Sequence, residues 1–430
     1  MNPIAPLRPR PGTPLPQLLL ATLLGVLPLL ALSGGARADW PQWRGPDRTD
    51  SSTEKGLLKS WPKEGPKRRW LFEGAGLGYS GPAIVKDRLY TLGIRDGAEH
   101  LIALDVNEGK ELWAVKLGEA LKNDWGDGPR GTPCVEGDFV YALSGPGKLV
   151  CAQVADGKIV WEKSMKEFGG SRPGWGYTES VLVDGDNVVC TPGGPKGAIL
   201  ALKKKTGDTV WQTQDFTDGA QYASIVPITH HGQRQYIQLT MSHVVGVAAA
   251  DGRKLWSLDF PGKVAVIPTP IFHDGQVYVS AGYGVGCKSA KIDDQNGVNE
   301  VYANKVMKNH HGGVILHEGH LYGHSDGGGW VCQKFDTGAE VWSERTALGK
   351  GAIGYADGQF YLVTENDGTV ALIDASPTGW KEHGRFKLDP QTKQRSPQGR
   401  IWTHPVVTGG RLYLRDQEYI YCYDVRATAP

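Results

Sequence analysis

The sequence predicts an all-β chain folded as one eight-bladed β-propeller of four-stranded antiparallel blades. Two recurring patterns and their spacing carry that prediction. The first is a tight turn followed by an apolar–aromatic pair, as in Glu136-Gly137-Asp138-Phe139-Val140-Tyr141, Asp274-Gly275-Gln276-Val277-Tyr278, Glu318-Gly319-His320-Leu321-Tyr322 and Asp357-Gly358-Gln359-Phe360-Tyr361. Short alternating apolar stretches flank most copies, the mark of a β-hairpin. The second is a glycine followed four residues later by tryptophan, at Gly109/Trp113, Gly157/Trp161, Gly207/Trp211, Gly252/Trp256 and Gly338/Trp342. Tyr302 and Trp380 fill degenerate copies. Counted from Trp70 to Trp380, the steps are 43, 48, 50, 45, 46, 40 and 38 residues, about 44 on average, the length of a propeller blade. Amphipathic helical stretches are missing, which excludes a helical solenoid of similar period.

Taken in order, residues 1–38 read as a signal peptide. Arg8 and Arg10 precede the apolar run from Leu18 to Leu32, and small residues ending in Ala36-Arg37-Ala38 place cleavage after Ala38. Fifteen helical residues rise about 22 Å, short of a roughly 30 Å hydrocarbon core, so no transmembrane segment is expected in the mature chain. Residues 39–66 form a lead-in that carries Trp40, Trp43 and Trp61. The propeller is expected over 67–426, with a tail at 427–430. Each unit reads as strands a, b, c and d, with the repeat tryptophan on strand d. The chain opens on a lone strand of this last kind (67–72) and ends on a unit with strands a to c only, so the N-terminal strand should complete blade 8. That closure protects an otherwise open sheet edge.

Composition narrows the function. Forty-seven basic residues face 46 acidic ones, which removes the electrostatic argument for nucleic acid or an anionic membrane surface. Six cysteines lie in the mature part, with no C-x-x-C among them, so zinc-ribbon, thioredoxin-like and c-type haem readings fail. Cys151, Cys332 and Cys422 sit in the strand-c slot that alanine or glycine holds in other blades, where cysteine acts as a small hydrophobe. Cys134 and Cys151 are the one pair weighed for a disulfide.

The Gly-x-x-x-Trp units, as in the run from Leu101 to Trp113, resemble the tryptophan-docking repeat of quinoprotein propellers. With the Asp39-Trp40-Pro41-Gln42-Trp43-Arg44-Gly45-Pro46 segment, the chain resembles the exported PQQ-binding-like β-propeller repeat proteins common in planctomycete-type bacteria. The resemblance implies kinship with two groups, the non-catalytic scaffold of outer-membrane assembly and the PQQ-dependent alcohol dehydrogenases. The reading taken is an exported, periplasmic, monomeric binding scaffold for an envelope protein or a small molecule, with no cofactor. The alternative is a short quinoprotein dehydrogenase using PQQ with calcium, with Glu179, Arg130 and Trp402 near the cofactor. Those dehydrogenases carry a vicinal cysteine pair, and no Cys-Cys dipeptide occurs here. A carbohydrate-binding or carbohydrate-active propeller is a third reading, resting on channel aromatics alone.

In a propeller the segments entering strand a gather above the central channel. Here they are far more polar and aromatic than the strands they precede. They supply the candidate ligand site: Trp125 and Arg130; Trp175, Tyr177 and Glu179; Tyr222; His310 and His311; Lys350; Trp402 and His404. Trp330 and His324 are expected beside them. Aromatic faces with convergent Arg, Glu, Lys and His groups suit a planar or sugar-like anion; the competing reading is a hydrogen-bonded cap over the channel. His310, His311 and His324 could together ligate Zn²⁺ or Cu²⁺; loop histidines more commonly serve as hydrogen bonders, and no metal or catalytic residue is assigned.

Overall fold

The computed structural model describes residues 39–427, with Met1, Pro3 and Ala5. The rest of the expected signal peptide, and residues 428–430, lie outside the described residues.

Turn chemistry sets the strand boundaries. The a–b hairpins at Asp274-Gly275, Glu318-Gly319 and Asp357-Gly358 have φ values of 47° and 74°, 47° and 74°, and 51° and 82°. Two successive left-handed residues make the type I′ turn, whose twist matches that of the flanking strands. These hairpins and the strands that follow build eight sheets, each in the order a-b-c-d. Blades 1 to 7 span residues 83–119, 134–164, 182–212, 226–259, 271–304, 314–344 and 351–387. Blade 8 takes strands a to c from 406–424, and its outer strand is Arg68–Phe72, paired with Tyr419–Asp424. The ring therefore closes as the sequence predicts. One single-turn 3₁₀ helix, Met165–Phe168, is the only helix among the described residues. The core lies between sheets: one cluster joins Leu92 and Leu101 of blade 1 to Val140 and Val150 of blade 2.

The repeat glycine and tryptophan turn out to be two halves of one joint between neighbouring blades. Trp70 Nε1 donates to Val106 O of blade 1 at 2.9 Å, Trp113 to Val154 O at 3.1 Å, and Trp161 to Lys204 O at 3.0 Å. Trp211 reaches Ala249 O at 3.0 Å, and Tyr302 makes the equivalent bond to Phe335 O at 3.0 Å. Each ring lies on the next blade's repeat glycine: a Cβ at Gly109 would stand 2.5 Å from the Trp70 ring, and one at Gly157 2.6 Å from Trp113. These glycines are also left-handed, with φ of 68° and 76°, so glycine is required twice over. In six blades the tryptophan faces the small strand-c residue: Ala103, Cys151, Ala201, Gly246, Cys332 and Cys422 pair with Trp113, Trp161, Trp211, Trp256, Trp342 and Trp70.

Two expectations are corrected, and the one disulfide weighed is excluded. Trp380 is not the repeat tryptophan of blade 7. It precedes the outer strand Glu382–Lys387, and Gly384 takes the position opposite Leu372. The missing indole comes from the lead-in. Trp61 lies against Gly384, donates its backbone N–H to His383 O, and packs on Tyr361 at 5.8 Å. Elsewhere Trp113 meets Tyr90 at 5.9 Å and Trp161 meets Tyr141 at 6.1 Å. Cys134 and Cys151 both pair with Tyr141, on opposite sides of it. Two strand spacings of about 4.8 Å separate them, beyond disulfide reach, and all six cysteines are free thiols. Trp330 lies within strand c of blade 6 rather than in a channel loop.

Residues 39–57 run through the centre of the ring and bond to every blade. Trp40 bridges Ile84 of blade 1, and Pro41 O accepts from Val135 N of blade 2. The Arg48 guanidinium donates to Ser180 O and Val181 O at blade 3 and to Ile225 O at blade 4. Trp43 Nε1 donates to Thr269 Oγ1 ahead of blade 5 at 3.0 Å, and Arg44 donates to Val314 O of blade 6 at 2.6 Å. Ser51–Ser52 adds a parallel fifth strand to blade 7, and the Asp50 carboxylate accepts from His404 ahead of blade 8 at 2.9 Å. Both ends of this loop sit at the a–b hairpin face, where Asp39 accepts from Lys86 N and Glu54 from the N–H groups of Gly409 and Gly410. Its tip, residues 42–50, reaches toward the opposite face. Arg44, Arg48 and Asp50 adopt left-handed φ of 62°, 56° and 58°. Such strain persists where surrounding bonds over-determine it.

Candidate functional site

A cavity of about 160 Å³ opens at the face where the segments entering strand a converge. Its floor is Trp43 and Arg44 of the loop tip. Its wall carries Tyr79 ahead of blade 1, then Trp125 and Arg130, then Trp175, Thr178 and Ser180. Tyr222 and Ser224, the stretch 265–269, Tyr283, His310 and His311, and Trp402 and His404 complete it.

The structure brings Trp125, Arg130, Trp175, Tyr222, His310, His311, Trp402 and His404 together around this cavity. It places the other five elsewhere. Tyr177 points into the core and donates to Pro192 O, and Glu179 accepts from Thr191 N at 2.7 Å and Thr191 Oγ1 at 3.1 Å. Thr178 and Ser180, between and beyond them, face the cavity, so the extended chain here alternates sides as a strand does. Trp330 is buried and donates to Gly349 O, with His324 edge-on to it at 5.4 Å. Lys350 stands behind the wall, ion-paired with Asp326 at 2.8 Å. Trp43, Tyr79 and Tyr283 were not among the sequence candidates. Tyr79 shares the signal of the others, since it lies in a segment entering strand a; Trp43 lies outside the repeat and carries none.

Two arginines line the cavity; Arg44 of the floor is paired with Asp50, and Arg130 of the wall is not. The Arg130 guanidinium lies over the Tyr79 ring at 4.6 Å and the Trp402 ring at 5.9 Å, a cation–π arrangement that strengthens when water is excluded. It donates to Trp175 O and Gly126 O. No carboxylate among the described residues lies within ion-pair distance, and burial lowers its pKa. The nearby acids are turned away and already engaged. Glu365 accepts from His311 Nε2 at 2.6 Å and Trp402 Nε1 at 3.1 Å. Burial opposes its ionisation, but these bonds and the charges of His311 and Lys350 win, holding it at about 2. Asp50 pairs with Arg44 at 2.7 Å as well as with His404. Lys350 Nζ donates to His310 Nδ1 at 2.8 Å. An ammonium has no acceptor, so neutral His310 carries its proton on Nε2; burial and the neighbouring His311 and Lys350 charges push its pKa down to about 3. His311 Nδ1 is buried without a partner.

One nitrogen of each ring, His310 Nδ1 and His311 Nε2, is thus committed to Lys350 and Glu365, and no three metal-ligating side chains converge among the described residues. The residues present do not fit a quinone held with calcium. Glu179, the carboxylate named for that role, is spent on Thr191, and burial raises its pKa to about 7. The six thiols lie apart, each buried in the fold.

Comparison with known proteins gives a family and a shared fold. The family model described as outer membrane protein assembly factor BamB matches residues 97–344. The crystal structure of BamB from Moraxella catarrhalis is similar over 82% of this chain and 95% of its own, at 16% identity and a TM-score of 0.55. Quinohemoprotein alcohol dehydrogenase from Comamonas testosteroni is similar over 91% of this chain and 81% of its own, at 12% identity and a TM-score of 0.62. A computationally designed protein, Ika8, is similar over 84% of this chain and all of its own, at 13% identity and a TM-score of 0.58. At such identities the likeness shows the fold alone. A search of the curated proteins finds no match.

Proposed function

The chain belongs to the family of outer membrane protein assembly factor BamB, and from that premise we propose that it is an exported, non-catalytic binding propeller. Its ligand site is the cavity at the channel face, and its ligand is small, flat and anionic. The observation that supports this reading is Arg130, held between aromatic faces with no carboxylate partner, at the wall of a cavity whose lining contains no acid. The non-catalytic part rests on the hydroxyls. Ser180 Oγ accepts from Thr132 N, Ser224 Oγ accepts from Ser180 N, and Thr178 Oγ1 donates to Tyr222 O. None of the three pairs with an imidazole or a carboxylate, so no activated nucleophile is assembled. The N-terminal pattern supports export to the periplasm, and among the described residues no helix is long and apolar enough to cross a membrane.

A thermal-shift screen of small organic acids against the purified protein tests the reading. A ligand at 100 times its Kd stabilises by about 2.7 kcal/mol, and Arg130→Gln should remove the shift. No stabilisation by any acid, or alcohol oxidation after addition of PQQ and calcium, would overturn it.

A further inference from the structure

The lead-in does more than fasten the blades. A propeller channel open at both ends could admit an extended molecule, and here the loop tip closes it from within. Trp43 spans the axis: its Nε1 is bonded to Thr269 ahead of blade 5, and its ring rests on His404 ahead of blade 8 at 4.6 Å. Arg44 and Asp50, both 1% exposed, form the ion pair beneath it. Arg48 ties the same turn to three backbone carbonyls of blades 3 and 4. The floor is therefore rigid and belongs to a segment outside the repeat.

We propose that Trp43 is the specificity-determining residue of the channel-face site, a built-in floor that makes the cavity blind and restricts it to a short flat anion. This rests on the binding reading above. With the floor in place, a ligand's acid meets Arg130 and its ring meets the indole. With the indole removed, the cavity deepens toward the loop and longer ligands gain room.

The test uses isothermal titration with two flat carboxylates, 2-naphthoate and the longer rod 4-phenylazobenzoate. The unsubstituted protein should bind naphthoate and prefer it by about tenfold or more, the ratio that one aromatic contact of roughly 1.4 kcal/mol supplies. Trp43→Ala should lose about tenfold for naphthoate and gain for the rod, reversing the preference. Trp43→Phe retains a flat floor without the bond to Thr269, and should keep the preference. It also keeps the claim testable if the alanine variant fails to fold. Unchanged discrimination in a folded Trp43→Ala, or a rod bound as well as naphthoate by the unsubstituted protein, overturns the floor while leaving the binding site intact. If neither carboxylate binds the unsubstituted protein but a neutral molecule does, both the floor and the anion are refuted and a binding propeller remains. If nothing binds, the reading of function falls with it.

Discussion

At its rim and at its axis the molecule joins the same eight blades by different means. At the rim, five joints share one design, in which an indole or phenol sits on a glycine of the next blade and donates to a backbone carbonyl there. At the axis there is no such repetition; one foreign loop reaches the blades through unlike groups, Arg48 alone serving both blades 3 and 4. The rim is redundant, and losing one joint leaves the others. The axis is singular, and each of its contacts is made once. Repetition holds the scaffold, while the site is assembled where repetition stops.

Four substitutions can break or sharpen this contrast. The largest effect is expected at the axis. Arg48→Met strips donors from three buried carbonyls, and chemical denaturation should show a loss of about 3–5 kcal/mol. At the rim, Gly109→Ala forces a left-handed alanine into the Trp70 ring and should cost about 2–4 kcal/mol. Gly137→Ala, equally left-handed but with nothing within 4 Å, should cost only about 1 kcal/mol; equal losses would refute the glycine–indole joint. Trp161→Phe removes one bond to Lys204 O and part of a packed ring, a loss of about 1–2 kcal/mol in the same assay.

The smallest effect is expected in acid. Burial and Lys350 hold His324 neutral, with its pKa at about 4 against an ordinary 6.5. Between those values the unfolded chain binds a proton that the folded one does not, so stability falls as pH drops through this window. Melting temperatures of His324→Gln should decline less steeply over that range. A slope identical to that of the unsubstituted protein would show that His324 does not contribute.

Much of the rim was legible because its chemistry repeats: glycine four residues before tryptophan, and a small residue opposite it, recur at one period. Blade 7 misled because its indole is borrowed. Trp380 is the nearest tryptophan to the expected place, yet Pro377 and Gly379 lead into it, and Trp61 does the packing. At the site, the segments entering strand a were found by their polarity, but not which side each residue faces. Thr178 and Ser180 face the cavity while Tyr177 and Glu179 turn from it, and alternation could have separated them. Lys350 reaches the cavity only through His310, a relation no spacing reveals. The loop tip was illegible for a deeper reason. Trp43, Arg44, Arg48 and Asp50 have no period, and although Arg44 and Asp50 pair with each other, the partners that fix them in the ring lie up to some 350 positions away in blades 3 to 8.

The central claim is that blade loops and the lead-in together form one ligand site at the channel face. A crystal structure of the protein grown with 2-naphthoate tests it most directly. The expected result is a ring lying against Trp43 with its carboxylate on the Arg130 guanidinium. Naphthoate bound at the outer strands, or a cavity left empty at saturating ligand, would contradict the claim.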